Sequence, residues 1–259
     1  MANPFQVSAS SSMGAPNEEL KGASSGLVGE NDLLIVGPGV LGRLVAEKWR
    51  QEYPGCQVYG QTVTTDHHDE LIKIGIRPSL KGTKLNYRFP YVIFCAPPLQ
   101  TSDYPGDVRE AALSWNGEGS FLFTSSSAPY DCNDNGQCIE DSPVVPIGRS
   151  PRTDVLLKAE KEVLERGGSV LRLAGLYKAD RGAHAYWLEK GTVELRPDHI
   201  LNLIHYEVNT LCLQIYNFYF LNYARSTLAC QLTSTQQEVP FLVYLTCFRR
   251  MLLPFLLQS

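Results

Sequence analysis

The stretch Leu33-Leu34-Ile35-Val36-Gly37-Pro38-Gly39-Val40-Leu41-Gly42 decides the fold. Four apolar residues in a row read as a buried parallel strand. Glycines at 37, 39 and 42 follow at G-x-G-x-x-G spacing, and Leu41, Leu44, Val45 and Trp49 then recur at helical spacing. The glycines therefore sit on a strand-to-helix turn, the context that separates a dinucleotide fingerprint from a chance match. Gly37 permits the tight turn, Gly39 lets backbone approach a pyrophosphate, and Gly42 lets helix and strand pack closely. The helix N-terminus offers free N–H groups and its positive dipole end to the phosphates. Pro38, Val40 and Leu41 complete this candidate cofactor-binding run.

On either side, from Asp32 to about His205, apolar strands alternate with amphipathic helices. That pattern predicts an α/β fold, a doubly wound parallel sheet of the Rossmann type. The first helix runs to about Tyr53, where Pro54-Gly55 stops it. Strands are predicted at 57–61, 91–96, 121–124 and 169–174, and helices at 66–74, at 107–115 and around Val155, Ala159 and Val163. A long loop at 125–150 interrupts the alternation, and loops of this length in a domain core are more often functional than idle. Ala96 and Pro97, closing the central strand, join the cofactor set with Thr62 at the end of strand two.

The ribose end is read from what is missing. A carboxylate for the ribose hydroxyls is expected about 20 residues beyond the fingerprint. The chain reads Gln61-Thr62-Val63-Thr64-Thr65 there, with no acid until Asp66 and no nearby Arg or Lys in sequence. The expected cofactor is NAD(P), with a slight lean to NADP because nothing repels a 2′-phosphate.

Composition bounds the rest. The chain has 259 residues and a net charge of −4, so no basic field recruits nucleic acid. Seven scattered cysteines without C-x-x-C read as reduced thiols in an intracellular protein. Residues 1–30 are rich in Ser, Gly, Ala, Asn and Pro and are expected to be a disordered arm, not a secretory signal. No acid precedes Glu18, as in a transit peptide, yet no arginine precedes Arg43. The protein reads as soluble and intracellular, in cytoplasm or plastid stroma, with targeting open.

Together with Gly37–Gly42, three further segments carry a resemblance. They are Phe123-Thr124-Ser125-Ser126-Ser127-Ala128-Pro129-Tyr130, Val170-Leu171-Arg172-Leu173-Ala174-Gly175-Leu176-Tyr177 and Leu201-Asn202-Leu203-Ile204-His205. Over residues 31 to 207 the chain resembles the extended short-chain dehydrogenase/reductases, the nucleotide-sugar epimerases and dehydratases, and within them the atypical NAD(P)-binding branch. The resemblance implies a Rossmann fold, a dinucleotide, and a small-molecule or nucleotide-sugar substrate. In active members a Ser or Thr after the fifth strand binds the substrate hydroxyl, and a Tyr-x-x-x-Lys pair does the acid–base work, the ammonium lowering the phenol's pKa. Ser126 matches the serine. The pair is missing: gap-free alignment puts Arg152 at the tyrosine and Leu156 at the lysine, and no tyrosine lies between Tyr130 and Tyr177. Tyr130, beside Ser126, is the understudy, whereas Tyr186-x-x-x-Lys190 matches only by chance spacing.

On the substrate side the candidates are Arg181, Asn202 and His205, with Arg149, Arg152 and Arg172 weighed as anion clamps against solvated charges. His199 borders the same segment. His67-His68-Asp69 reads as a solvated face rather than a ligand set, because adjacent helical histidines point different ways, so no metal is expected. Two functions follow: an NAD(P)-dependent oxidoreductase or epimerase-like enzyme, or a dinucleotide-binding sensor or scaffold without turnover.

After Glu207 the text changes. From 208 to 259 only Arg225, Glu238, Arg249 and Arg250 are charged, and strand–helix alternation disappears. This tail reads as sequence foreign to the family, altering or truncating its C-terminus, with the sheet expected to close by about His205. Neither apolar run, 211–223 or 241–257, reaches the roughly 18 uninterrupted residues of a spanning helix. Membrane association is not the favoured reading, but it stays open. The expected organisation is thus an arm (1–30), a dinucleotide-binding domain (31–207) and an apolar tail (208–259).

Overall fold

A computed structural model describes residues 28–83, 87–99, 101–132, 136, 138–139, 142–194, 201–208, 210 and 242–244. The arm, His199 and most of the tail lie outside the described residues. Strand β1 (Leu33–Val36) runs through the middle of a parallel sheet, and Leu33, Leu34 and Ile35 are fully sealed from solvent. Helices on both faces make a continuous apolar run the right choice for such a strand.

From β1 the chain turns at the glycines into α1 (Val40–Glu52), whose Leu41, Val45, Ala46 and Trp49 face the sheet. The Trp49 indole N–H donates to the Asn31 carbonyl (2.9 Å) and ties the helix to the entry of β1. Next come β2 (Val58–Thr62), α2 (His68–Lys73) and β3 (Ile76–Leu80). The chain then crosses to β4 (Phe89–Phe94), α3 (Tyr104–Leu113), β5 (Trp115–Ser126), α4 (Pro151–Leu164) and β6 (Ser169–Leu173). A two-stranded parallel pair, β7 (Gly175–Tyr177) with β8 (Leu203–His205), flanks α5 (Ala183–Lys190), and β9 (Leu242–Tyr244) comes last.

The main sheet runs β3-β2-β1-β4-β5-β6-β9, every pairing parallel. Successive β1 side chains point to opposite faces. Leu33 and Ile35 join a core with α1 and Leu71, while Leu34 joins Phe94, Val108, Phe123, Leu156 and Ala159 beneath α3 and α4.

The doubly wound reading holds, with local corrections. Strand β3 went unpredicted because Pro78 interrupts it, and it sits at the sheet margin, where a missing N–H is tolerated. Helix α3 begins before Pro105-Gly106, because Asp103 caps it by accepting from the Gly106 N–H (3.0 Å). The sheet does not close before residue 208: Leu242–Tyr244 pairs with Val170–Arg172 along the outer side of β6. A run of β-forming residues there, Leu-Val-Tyr, outweighs the loss of alternation around it.

The cysteine reading is also corrected. Cys132 and Cys138 form a disulfide, while Cys56 and Cys95 are free. At the base of the loop that carries the pair, Tyr130 is bridged antiparallel to Val144, and the Val145 N–H donates to the Pro129 carbonyl (2.8 Å). That antiparallel contact draws the two ends of the loop together, a pairing the cysteine spacing alone did not show.

Candidate functional site

Strand order reverses at β1, with β2 on one side and β4 on the other, so the crevice beyond their C-terminal ends is the expected ligand position. A cleft of about 950 Å³ lies there. Gly37 through Gly42, Thr62, Ala96, Pro97, Ser126 and Arg181 all line it. Tyr130, Asn202 and His205 are not among the lining residues.

Each glycine of the fingerprint has a separate reason. Gly37 has φ +78°, and a Cβ there would stand 2.6 Å from the Ala96 backbone. A Cβ on Gly42 would meet the Ile35 side chain at 2.9 Å, so the residue permits α1 to lie on β1. A Cβ on Gly39 would meet nothing within 4 Å: the space above it is open cleft. Gly39 also heads α1 with no side-chain cap and no acid in the first turn, which leaves the terminal N–H groups to a ligand. These are the features a pyrophosphate requires, so the chain's residues fit a dinucleotide.

Around the opposite wall, the Tyr104 hydroxyl donates to the Ala96 carbonyl (2.6 Å), and burial pushes its pKa up. Burial likewise pushes the Cys95 thiol up to about 12, so it is an inert thiol in the cleft wall. Ser126 ends β5 at the cleft, and its Oγ accepts from the Ala128 N–H (3.1 Å). Its neighbour Ser125 points inward and donates to Glu160 (2.6 Å).

Glu160 and Arg172 form a bidentate pair at 2.9 and 2.7 Å, with side chains only 4% and 5% exposed. Arg172 is therefore a core cation, not an anion clamp. Burial opposes its charge, but Glu160 and Tyr130 outweigh that and raise its pKa. The Arg172 guanidinium lies over the Tyr130 ring, 4.9 Å from its centre, and the Tyr130 hydroxyl is buried. Leu156 lines the cleft, and Arg152, beside it on α4, is exposed.

The other candidates fall around the rim. Asn202 donates to the Ser127 hydroxyl (3.4 Å), and His205 packs edge-on against Tyr177, with centroids 5.4 Å apart. Arg149 pairs with Asp131 (3.0 Å), and Tyr186 is exposed on α5, which buries no residue. His68 bonds to Thr62 (2.7 Å) and His67 to Glu70 (3.2 Å). Among the described residues no group of three His, Cys, Asp or Glu could hold a metal ion, and no helix is long and apolar enough to cross a membrane.

The ribose end corrects one reading. Arg43 and Lys81 both line the cleft beside Thr62, where the linear sequence showed no cation. Arg43 reaches it from the first turn of α1, and Lys81 from the end of β3. Arg43 pairs with Glu70 (2.8 Å) and Lys81 with Asp107. Arg43 and then His67 hold the Glu70 carboxyl below its ordinary pKa. Helical geometry placed Arg43 one turn past Gly39, a spacing visible in the sequence. Lys81 needed β3 to be recognised.

No family model matches the chain, and no curated protein matches it. Solved structures do. A nucleoside-diphosphate-sugar epimerase from Pseudomonas aeruginosa superposes with TM-score 0.54 at 12% identity, over 88% of this chain and 84% of that one. The Bordetella bronchiseptica enzyme WbmH, solved with NAD+, gives 0.54 at 14% identity over 83% and 85%. UDP-glucuronic acid 4-epimerase from Bacillus cereus, solved with UDP-glucuronic acid and NAD, gives 0.53 at 13% identity over 82% and 76%. This is a Rossmann fold. Two of these three are named epimerases and two were solved with NAD, and at these identities the likeness is one of fold.

Proposed function

We propose that this protein binds NAD(P) in the cleft above β1 and β4, with the pyrophosphate over Gly37–Gly42 and the nicotinamide near Ser126. One observation carries the reading: the only neighbour a side chain at Gly39 would meet is open cleft, at a helix terminus no side chain caps. Thr62, Ala96 and Pro97 line the walls for the rest of the cofactor. The missing carboxylate at the end of β2 leans the site to NADP. When bound, the nicotinamide supplies hydride chemistry. Ser126 and Arg181 both line the cleft, and in this reading Ser126 holds a substrate hydroxyl and Arg181 pairs with a small-molecule or nucleotide-sugar substrate.

A second reading, binding without turnover as a sensor or scaffold, has its own observation. Leu156 stands at the lysine position, Arg152 at the tyrosine position, and the Tyr130 hydroxyl is buried away from the cleft. Fluorescence titration of the folded chain with NADPH and NADH tests what both share, and no saturable binding of either removes both. A carbonyl and nucleotide-sugar screen then separates them. Hydride exchange slowed by Ser126→Ala supports the enzyme, and binding without exchange supports the sensor.

A further inference from the structure

We propose that Arg43 and Glu70 form a 2′-phosphate switch that makes this cleft select NADP over NAD, Glu70 being the counter-ion the phosphate displaces. The inference rests on the dinucleotide reading above, which puts the adenosine ribose at the end of β2.

Arg43 is placed for this by the same turn that places the pyrophosphate. Its N–H donates to the Gly39 carbonyl (2.9 Å), so it stands one helical turn into α1. Arg43 lines the cleft, as do Thr62, Val63 and Thr64 at the end of β2. None of these can repel a phosphate. The first acid, Asp66, also lines the cleft, and its carboxylate accepts from the Thr64 hydroxyl (2.9 Å).

Glu70 comes from α2 and closes on Arg43 through a single contact, Nη1 to Oε2 at 2.8 Å. No other bond to the guanidinium is present among the described residues. A guanidinium has five donors in a planar fork, so this contact leaves most of it available. Glu70 is 54% exposed and Arg43 33% exposed. An exposed ion pair of this kind contributes little, and its acid returns to water at small cost. A phosphate offers the fork two oxygens and a higher charge than the carboxylate it replaces.

A competing geometry exists on the same residues. Glu70 itself would stand in for the absent acid and accept from the ribose hydroxyls, which would make the site one for NAD. In that geometry Glu70 would keep its present partners, Oε2 on Arg43 and Oε1 on His67 at 3.2 Å, and accept from the ribose on its remaining lone pairs. The two geometries predict opposite effects of one substitution.

The test is fluorescence titration of the full chain and of Arg43→Gln and Glu70→Gln with NADPH and NADH, with circular dichroism confirming that each folds. Arg43→Gln is expected to weaken NADPH roughly tenfold or more while moving NADH less than about twofold. Glu70→Gln is expected to tighten NADPH and leave NADH unchanged. Calorimetry with adenosine 2′,5′-bisphosphate and 5′-AMP repeats the comparison without the nicotinamide, and only the bisphosphate should respond to Arg43→Gln. Equal weakening of both coenzymes by Arg43→Gln overturns the switch, as does no change in either. Loss of NADH affinity in Glu70→Gln overturns it in favour of the ribose-hydroxyl geometry. Failure of the unaltered chain to bind either coenzyme removes the dinucleotide reading itself.

Discussion

Three glycines within six residues are each irreplaceable for a different reason, and substitution separates those reasons. Gly39→Val places its methyl groups in open cleft, so the helix content and thermal midpoint should stay near those of the parent while NAD(P)H titration shows no binding. Gly37→Ala should do the reverse, because both its φ of +78° and the Ala96 backbone 2.6 Å away resist a Cβ. It should unfold at markedly lower temperature. Unchanged affinity in Gly39→Val would reduce the run to a turn. The buried Glu160–Arg172 pair gives a second residue-level expectation. Glu160→Leu strands the guanidinium, a change that costs about 3–5 kcal/mol. A fall in melting temperature of roughly 6–20 °C follows for a chain of this size. Adding Arg172→Met to Glu160→Leu should recover most of that loss, since an apolar pair needs no counter-ion. The glycines were legible because spacing alone reports them. The core role of Arg172 was not, since its partner lies twelve residues away on another element.

Among elements, α3 and α4 cover one face of the sheet together and are tied by a charged clasp. Glu162 of α4 receives Arg109 from α3 (2.6 Å) and Arg166 from the turn that follows α4 (2.6 Å). Arg109 first, with Arg166, holds the Glu162 carboxyl below its ordinary pKa. A depressed carboxyl stabilises the fold fully above the unfolded glutamate value of about 4.3, and that contribution is lost as pH falls through the lowered native value. The melting temperature of the parent should therefore drop more steeply on acidification below about pH 4.3 than that of Glu162→Gln. Salt should blunt the difference because the clasp lies near the surface. Parallel acid profiles would show that the clasp contributes nothing. Elements with a clean period, β1, α1, β4 and α4, were legible. Those that break a local rule were not: β3 contains a proline, α3 opens on Pro-Gly, and both are rescued by neighbours, a sheet margin and an aspartate cap.

At the level of the whole molecule, the sheet ends differently on its two sides. Pro78 offers no N–H to a further strand beyond β3, and β6 is covered by β9 from a segment the sequence read as foreign. Long-range pairing between residues 170–172 and 242–244 leaves no periodic mark between them, which is why alternation could not announce it. A chain ended after Thr210 keeps the buried Tyr206 and every cleft residue, so it should still bind NAD(P)H. It loses a three-residue ladder, of about 2 kcal/mol at ordinary hydrogen-bond strength. Scanning calorimetry should then show a fall of roughly 4–8 °C. An unchanged midpoint would show that β9 contributes no stability to the sheet. The proline brings a consequence of its own. Strands recruit strands from other molecules wherever an unbroken row of backbone groups is left open. Beyond β3 that row is interrupted, so stacking of copies edge to edge is blocked there by covalent chemistry and needs no partner to prevent it. On the β6 side, among the described residues, the guard is β9, a three-residue strand of the same chain. Oligomers of the shortened protein should grow with concentration in light scattering, and they should grow from that one margin.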